Sequence, residues 1–134
     1  MPKRTYHPEA TRQAAPTEES TRLPWVLSAH AAESKKASRL HILDLREISS
    51  FTDYFVICSG SNMRQIQAIS DEVELVLKRH GRTPLGIEGY ERAEWILADY
   101  GEFIVHVFSE SAREFYDLER LWRHAKEVEV PAES

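Results

Sequence analysis

The sequence has a single cysteine and no long hydrophobic run, and both absences exclude classes of protein. One thiol, at Cys58, excludes a disulfide within the chain and a zinc site built from several cysteines. No apolar segment approaches the roughly 20 residues that a membrane-spanning helix needs. The first eight residues lead into no apolar stretch, so no secretory signal is predicted. These features predict a cytoplasmic protein that does not contact a membrane.

Basic charge is also in short supply. The chain has 17 lysines and arginines against 22 acidic residues, which gives a net charge of −5. Proteins that bind nucleic acid mainly through its phosphates need clustered Lys and Arg. Direct, sequence-specific nucleic-acid binding is therefore not expected, whereas an acidic surface would attract a basic protein partner.

A length of 134 residues predicts one domain, and the composition of the two ends predicts a tail at each. Residues 1–21 contain three of the six prolines and little to bury, so they are predicted to form a disordered tail. The domain is expected to span residues 22–125. Residues 126–134, around Pro131, are predicted to be a C-terminal tail.

Apolar periodicity within 22–125 predicts alternating helices and strands. The expected fold class is α/β (α+β), with a mixed β-sheet and helices packed on it. The predicted elements, in chain order, are a helix beginning near Pro24, strands at 39–45 and 53–59, a helix at 61–80 capped by Ser61, a hairpin of 94–99 with 102–108, and a helix at 111–125.

The predicted hairpin has two different faces. With a two-residue turn at Tyr100 and Gly101, Trp95 would pair with His106 and Leu97 with Ile104. Those four residues would share a face whose indole and imidazole suit an interface. The opposite face is wholly apolar and is expected to face the core; it comprises Ile96, Ala98, Phe103, Val105 and Val107.

Gly60-Ser61, between a strand and a helix, is the one feature that suggests catalysis. In nucleotidyltransferases such a pair meets a triphosphate at a helix N-terminus, and two carboxylates on a following strand hold Mg²⁺. Here Asp71, Glu72 and Glu74 fall inside the predicted helix, where they would form a solvated face. We therefore expect no catalytic residues and no cofactor.

Neither the histidines nor the cysteine predicts a reactive or metal-binding site. The six histidines include no pair at i,i+3 or i,i+4 spacing, so no metal site is expected. Cys58 ends an apolar strand and is predicted to be a buried small hydrophobe.

A charged and aromatic run at 113–120 predicts an amphipathic helix with pairs such as Arg113 with Asp117. Large aromatic residues beside charges favour either a core or a protein-binding patch, because Trp and Tyr dominate interface hot spots. Both interpretations stay open for Trp95 and Tyr116, while a core position is favoured for Trp122.

Several of these segments together resemble the Iojap-like ribosomal silencing factor family (RsfS), in the order in which that family has them. The resemblance covers residues 23–122. It is carried by TDYFVICSG at 52–60, EG at 88–89, WILADYGE at 95–102, VHVF at 105–108, REFYDLERLW at 113–122 and KKA at 35–37.

The resemblance implies a nucleotidyltransferase-like fold without catalytic carboxylates, and a binding protein rather than an enzyme. It implies binding to the large ribosomal subunit through its fourteenth protein, which would block joining of the small subunit and repress translation under nutrient limitation. The contact positions it implies are Trp95, Leu97, Tyr116, Leu118 and Glu119, extending to His106 and Arg113.

Three alternatives stay open at this point. A nucleotidyltransferase-like enzyme would use Ser61, and a large-subunit assembly factor would use the same surface as the silencing factor. An exposed apolar hairpin face would also allow a homodimer.

Overall fold

The structure, a computed structural model, describes residues 22–132; the tail predicted at 1–21 lies outside the described residues. The elements follow in the order α1 (Pro24–Ser34), β1 (Ser38–Asp44), β2 (Tyr54–Gly60), α2 (Met63–Arg79), β3 (Gly86–Glu88), β4 (Trp95–Asp99), β5 (Phe103–Ser109), α3 (Glu110–Tyr116), α4 (Leu118–Leu121) and β6 (Lys126–Val128). None of the described helices is long and apolar enough to cross a membrane.

The strands form one mixed sheet, which confirms the predicted fold class. Their spatial order is β3-β4-β5-β2-β1-β6, with β2 and β5 parallel and every other neighbouring pair antiparallel. All seven residues of β2 are buried. This burial matches the run of apolar residues expected of a central strand covered on both faces.

The two faces of the sheet are covered by different helices. The longer helices α1 and α2 pack on one face, over a core that includes Ile42, Val56, Ile96 and Val105. The short helices α3 and α4 lie on the other face, over a smaller cluster around Phe55, Ile57, Ile104 and Phe108. The site described below is on this second face.

The hairpin register differs from the predicted one by two residues. Trp95 pairs with Phe108 and Leu97 with His106, because a longer turn closes with the Tyr100 N–H donating to the Phe103 carbonyl at 2.9 Å. Gly101 gives this turn its positive φ of 83°. A shift of two residues leaves every side chain on its predicted face, since side chains alternate along a strand.

The domain extends further toward the C-terminus than the predicted boundary at residue 125. Lys126–Val128 pair with β1 as the edge strand β6, so the domain continues past residue 125. Beyond the strand, the carbonyl of Pro131 lies 2.6 Å from Nε2 of the buried His30. The acidic residues around Pro131 favoured the prediction of a tail. Val128 and Val130 alternate with them, however, and pack against the α1 side of the core.

The last predicted helix is interrupted. Asp117 adopts a left-handed conformation, with φ 49° and ψ 53°, and separates α3 from α4. The expected Arg113–Asp117 pair does not form; Arg113 pairs with Glu119 instead. A second small correction concerns α2, whose N-cap is Asn62 and not Ser61: the Asn62 side chain accepts a hydrogen bond from the Gln65 N–H at 2.8 Å.

Candidate protein-binding surface

A row of aromatic side chains crosses the second face of the sheet, and we call it the aromatic face. It comprises Phe115, Tyr116, Trp95, Phe108, His106, Phe55, Trp122 and Phe51. Neighbouring ring centroids lie between 4.5 and 6.2 Å apart along the row. The middle of the row is buried, whereas Phe115, Tyr116 and Phe51 are exposed.

Trp95 is held from both sides. Its ring stacks on Phe108 with centroids 5.0 Å apart, and Tyr116 of α3 lies against it at 4.7 Å. The indole N–H donates to Nδ1 of His106 at 3.0 Å. The polar edge of the indole is therefore turned inward, and the part of the side chain that stays accessible is apolar.

His106 is a neutral acceptor in this arrangement. It is 3% exposed, and burial lowers the pKa of its imidazole to about 3. Because Nδ1 accepts from Trp95, the proton lies on Nε2, which has no hydrogen-bond partner among residues 22–132. The imidazole thus orients Trp95 and carries no charge near neutral pH.

Arg113 belongs to α3, and its side chain lies between that helix and the sheet, where the residue is 1% exposed. Its guanidinium donates to Ser59 Oγ at 2.7 Å, to the Arg39 carbonyl at 2.7 Å, and through two nitrogens to Glu119 Oε2. Arg39 has a positive φ of 52° and lies where the register of β1 shifts, which turns its carbonyl toward α3. A buried cation is tolerated here because all of these acceptors surround it.

Glu119 is the partner of Arg113 that reaches the surface, with 30% of its side chain exposed. Burial by itself raises the pKa of this carboxyl, but the hydrogen bonds from Arg113 outweigh it and hold the pKa below its ordinary value. The carboxylate is therefore ionised and already paired. The carboxylate would present to any partner a fixed acceptor more than a free charge.

The structure separates the seven predicted contact residues into two groups. Trp95, Leu97, Tyr116 and Glu119 are at least partly accessible. His106, Arg113 and Leu118 are buried, at 3%, 1% and 9% exposure. A partner would not reach these three while α3 and α4 are packed on the sheet, so the structure does not offer them as direct contacts.

Sequence reasoning missed three exposed apolar side chains on this face: Phe51 at 60%, Phe115 at 80% and Leu121 at 72% exposure. Phe115 and Leu121 belong to the apolar stripe that a continuous helix 111–125 would have buried. The left-handed residue between the two helices turns them outward. Asp117 itself was the available signal, since Asp tolerates this conformation better than most residues.

Acidic residues surround the Trp95 end of the aromatic face. The exposed acids are Glu94, Glu110, Glu114 and Asp117, with Glu119 partly exposed. Two exposed cations lie on the neighbouring elements, Arg120 of α4 and Arg39 of β1, and Arg39 is already paired with Glu114 at 2.8 Å. An apolar centre with an acidic edge is complementary to a basic protein surface.

The Gly60-Ser61 turn is filled by the protein's own side chains. The Ser61 N–H donates to Gln65 Oε1 at 2.6 Å, and the Gln65 side-chain amide donates to the carbonyls of Lys35 and Lys36. Two backbone N–H groups that could meet a phosphate, those of Ser61 and Gln65, are thus already used. Of the three carboxylates predicted to form a solvated face, Asp71 and Glu74 lie exposed on α2 and Glu72 is half-buried there.

The predicted state of Cys58 is confirmed: it is fully buried, and burial raises the pKa of its thiol to about 12. Such a thiol is a poor nucleophile. Within residues 22–132, no group of three His, Cys, Asp or Glu side chains lies close enough together to hold a metal ion.

Comparison with known proteins supports the resemblance found in the sequence. Residues 17–134 match the family described as "Ribosomal silencing factor during starvation". The ribosomal silencing factor RsfS of Halalkalibacterium halodurans is 40% identical over 104 residues, which are 78% of this chain and 89% of that protein. A crystal structure of a Chromobacterium violaceum protein superposes with a TM-score of 0.71 at 34% identity, covering 72% of this chain and 81% of that one.

A more distant relative has a different name. The mouse "Mitochondrial assembly of ribosomal large subunit protein 1" is 35% identical over 75 residues, which are 54% of this chain and 33% of that protein. The family match and the bacterial relatives cover most of the chain, and together they show that it belongs to the RsfS family of ribosomal silencing factors.

Proposed function

We propose that this protein binds the large ribosomal subunit through its fourteenth protein, using the aromatic face, and sterically blocks joining of the small subunit. Translation would then fall when nutrients are limiting. The observation that carries the proposal is the exposed Tyr116 lying against the partly accessible Trp95 at the acidic end of the face.

The geometry suits a binding protein. Trp95, Leu97 and Tyr116 offer an apolar centre, and the one polar group of Trp95 is already satisfied by His106, so burying the indole carries little desolvation cost. A stable footprint needs roughly 800 Å² per partner, and the aromatic face extends from Phe115 to Phe51 across the sheet. Occlusion needs no chemistry, because the bound fraction depends only on concentration and affinity.

Co-sedimentation with separated ribosomal subunits tests the proposal. Wild-type protein should pellet with large subunits alone and lower the yield of joined ribosomes when small subunits are added. Tyr116→Ala should lose both effects. Leu75→Ala is the matched control, because Leu75 is 45% exposed against 47% for Tyr116 but lies on α2, across the sheet.

Two results would contradict the proposal: wild-type protein that pellets with neither subunit, or a control variant that loses binding as fully as Tyr116→Ala. Binding to the purified fourteenth protein, measured with the same three proteins, identifies the partner. Sedimentation of the free protein reports any homodimer that uses the same face and would compete with the ribosome.

A role in large-subunit assembly is the second candidate, and the name of the mouse relative favours it. Such a factor would bind immature large subunits through the same surface. Profiling precursor particles after depletion separates the two, since a silencing factor alone leaves the precursors unchanged. An enzymatic role has less support, because the Gly60-Ser61 turn is occupied by Gln65.

A further inference from the structure

The segment that carries Tyr116 and Glu119 has little structure of its own. Helix α3 has seven residues and α4 has four, with the left-handed Asp117 between them. Helices this short are not stable in isolation, so tertiary contacts must hold them. Phe115 and Leu121 contribute little to this, because both point to solvent.

Arg113 supplies polar contacts that tie the segment to the sheet. From α3 it reaches β2 through Ser59, the irregular part of β1 through the Arg39 carbonyl, and α4 through Glu119. All three guanidinium nitrogens are used. Only a planar fork of donors can reach these acceptors together, and a lysine ammonium cannot.

We infer that Arg113 is a positioning residue for ribosome binding: it fixes the α3–α4 segment, and with it Tyr116 and Glu119, without touching the partner. Its side chain is fully buried in the pair with Glu119, so a partner on the surface meets only the residues it holds. The inference rests on the proposed function and assigns these residues their separate roles within it.

A double-mutant cycle distinguishes positioning from a general role in the core. Arg113→Lys keeps the charge but loses the fork, and Tyr116→Ala removes a contact on the segment. If Arg113 acts through the segment, the two changes together should weaken binding to large subunits by less than the product of their separate effects. We expect at least a tenfold loss for each single variant.

Leu97 provides the matched comparison, because it belongs to β4 and not to the α3–α4 segment. The effects of Arg113→Lys and Leu97→Ala should multiply. All affinities are measured on proteins shown by circular dichroism to be folded at the assay temperature. The inference is overturned if Arg113→Lys binds as wild type, or if its effect multiplies with that of Tyr116→Ala just as it does with Leu97→Ala.

A variant that fails to fold does not end the test. Ser59→Ala removes one acceptor of Arg113 from a buried position beneath the segment, and it replaces Arg113→Lys in the same cycle. We expect a smaller loss of affinity, about threefold to tenfold, with the same non-additivity toward Tyr116→Ala. Full additivity in this cycle would count against the inference.

Amide hydrogen exchange separates failure of the inference from failure of the proposed function. If wild-type protein binds no ribosomal particle, the proposed function fails, but the effect of Arg113 on the α3–α4 segment can still be measured. Arg113→Lys should accelerate exchange over residues 110–122 and leave β2 and β5 protected. Equal acceleration throughout the sheet would make Arg113 an ordinary core residue and overturn the inference.

Discussion

The two faces of the sheet are built from alternate residues of the same strands, yet they differ in what covers them. On β4, Ile96 faces the long helices α1 and α2 and is fully buried. Its neighbour Trp95 faces the short helices α3 and α4 and stays partly accessible. Under the proposed function, adjacent positions of one strand therefore serve different purposes, stability on one side and recognition on the other.

The difference also appears in the chemistry of the two cores. The face under α1 and α2 is mainly aliphatic, with Ile66, Ile69 and Leu77 of α2 sealing it. Both faces bury polar side chains, Ser28, His30 and Ser70 of α1 and α2 on one side and Ser59, His106 and Arg113 on the other. On the aromatic face, His106 and Arg113 each hold a residue nearer the surface, so their hydrogen bonds fix the geometry of Trp95 and Glu119.

The largest expected effect is on stability and comes from the sealed face. Ile96→Ala should lower the free energy of unfolding by about 2–5 kcal/mol, since it leaves a cavity among packed side chains. The affinity of the folded fraction for large subunits should not change. Urea denaturation followed by binding below the transition checks both, and Ile96→Val, expected to cost about 0.5–1.5 kcal/mol, is the graded control.

The neighbouring substitution should reverse this pattern. Trp95→Ala is expected to weaken binding by about 2–4 kcal/mol if the indole is a hot spot. It should cost less stability than Ile96→Ala, because part of the indole already faces solvent. Isothermal titration with large subunits measures the affinity. If Trp95→Ala unfolds the protein while binding per folded molecule is unchanged, Trp95 contributes to stability and not to binding, and the proposed difference between the two faces is wrong.

Comparison of these neighbours also indicates what the sequence alone can predict. The alternation of Trp95 and Ile96 assigned each to its correct face even though the hairpin register was wrong by two residues. Facing depends on a period of two, which a shift of two preserves. The turn length set the register, and the conformation of Tyr100 and Gly101 could not be inferred from local composition.

The sequence predicts the α3–α4 segment incorrectly, as one continuous helix, for a different reason. Its apolar spacing fits one helix, and an arginine in such a run suggests a solvated pair with Asp117. The structure instead breaks the helix at Asp117 and buries Arg113 against acceptors distant in sequence, Ser59 and the Arg39 carbonyl. Tertiary contacts of this kind leave no periodic signal, so the burial of Arg113 cannot be predicted from the sequence. The break that exposes Phe115 has only one local signal, Asp117.

A third prediction uses pH to test the polar interior of the aromatic face. In the unfolded chain His106 has an ordinary pKa of 6.5, whereas in the folded protein burial lowers it to about 3. Between these values the unfolded state binds a proton that the folded state does not, so stability falls as pH falls. The expected contribution is about 1.4 kcal/mol per pH unit.

His106→Asn removes this titration while keeping a side-chain oxygen that can accept from Trp95. Between pH 6 and pH 5, wild-type protein should lose about 1 kcal/mol more than the variant in urea denaturation. Asp44 and Glu119 have lowered pKa values in the folded protein, so their stabilisation is lost only as the pH falls below their ordinary pKa values of 3.8 and 4.5, which lie below this window. Parallel losses in both proteins would show that His106 is not the buried neutral group that orients Trp95.

The smallest expected effects compare the two exposed ends of the aromatic face. Phe115 lies against Tyr116, with centroids 5.0 Å apart, whereas Phe51 lies at the other end against Trp122 at 6.0 Å. Both are largely exposed, so alanine at either position should change stability by less than about 0.5 kcal/mol. Phe115→Ala should weaken binding by about 1 kcal/mol because it adjoins the contact centre and its acidic edge. Phe51→Ala should leave the affinity unchanged, and a larger loss there than at Phe115 would move the centre of the footprint from Trp95 toward Trp122.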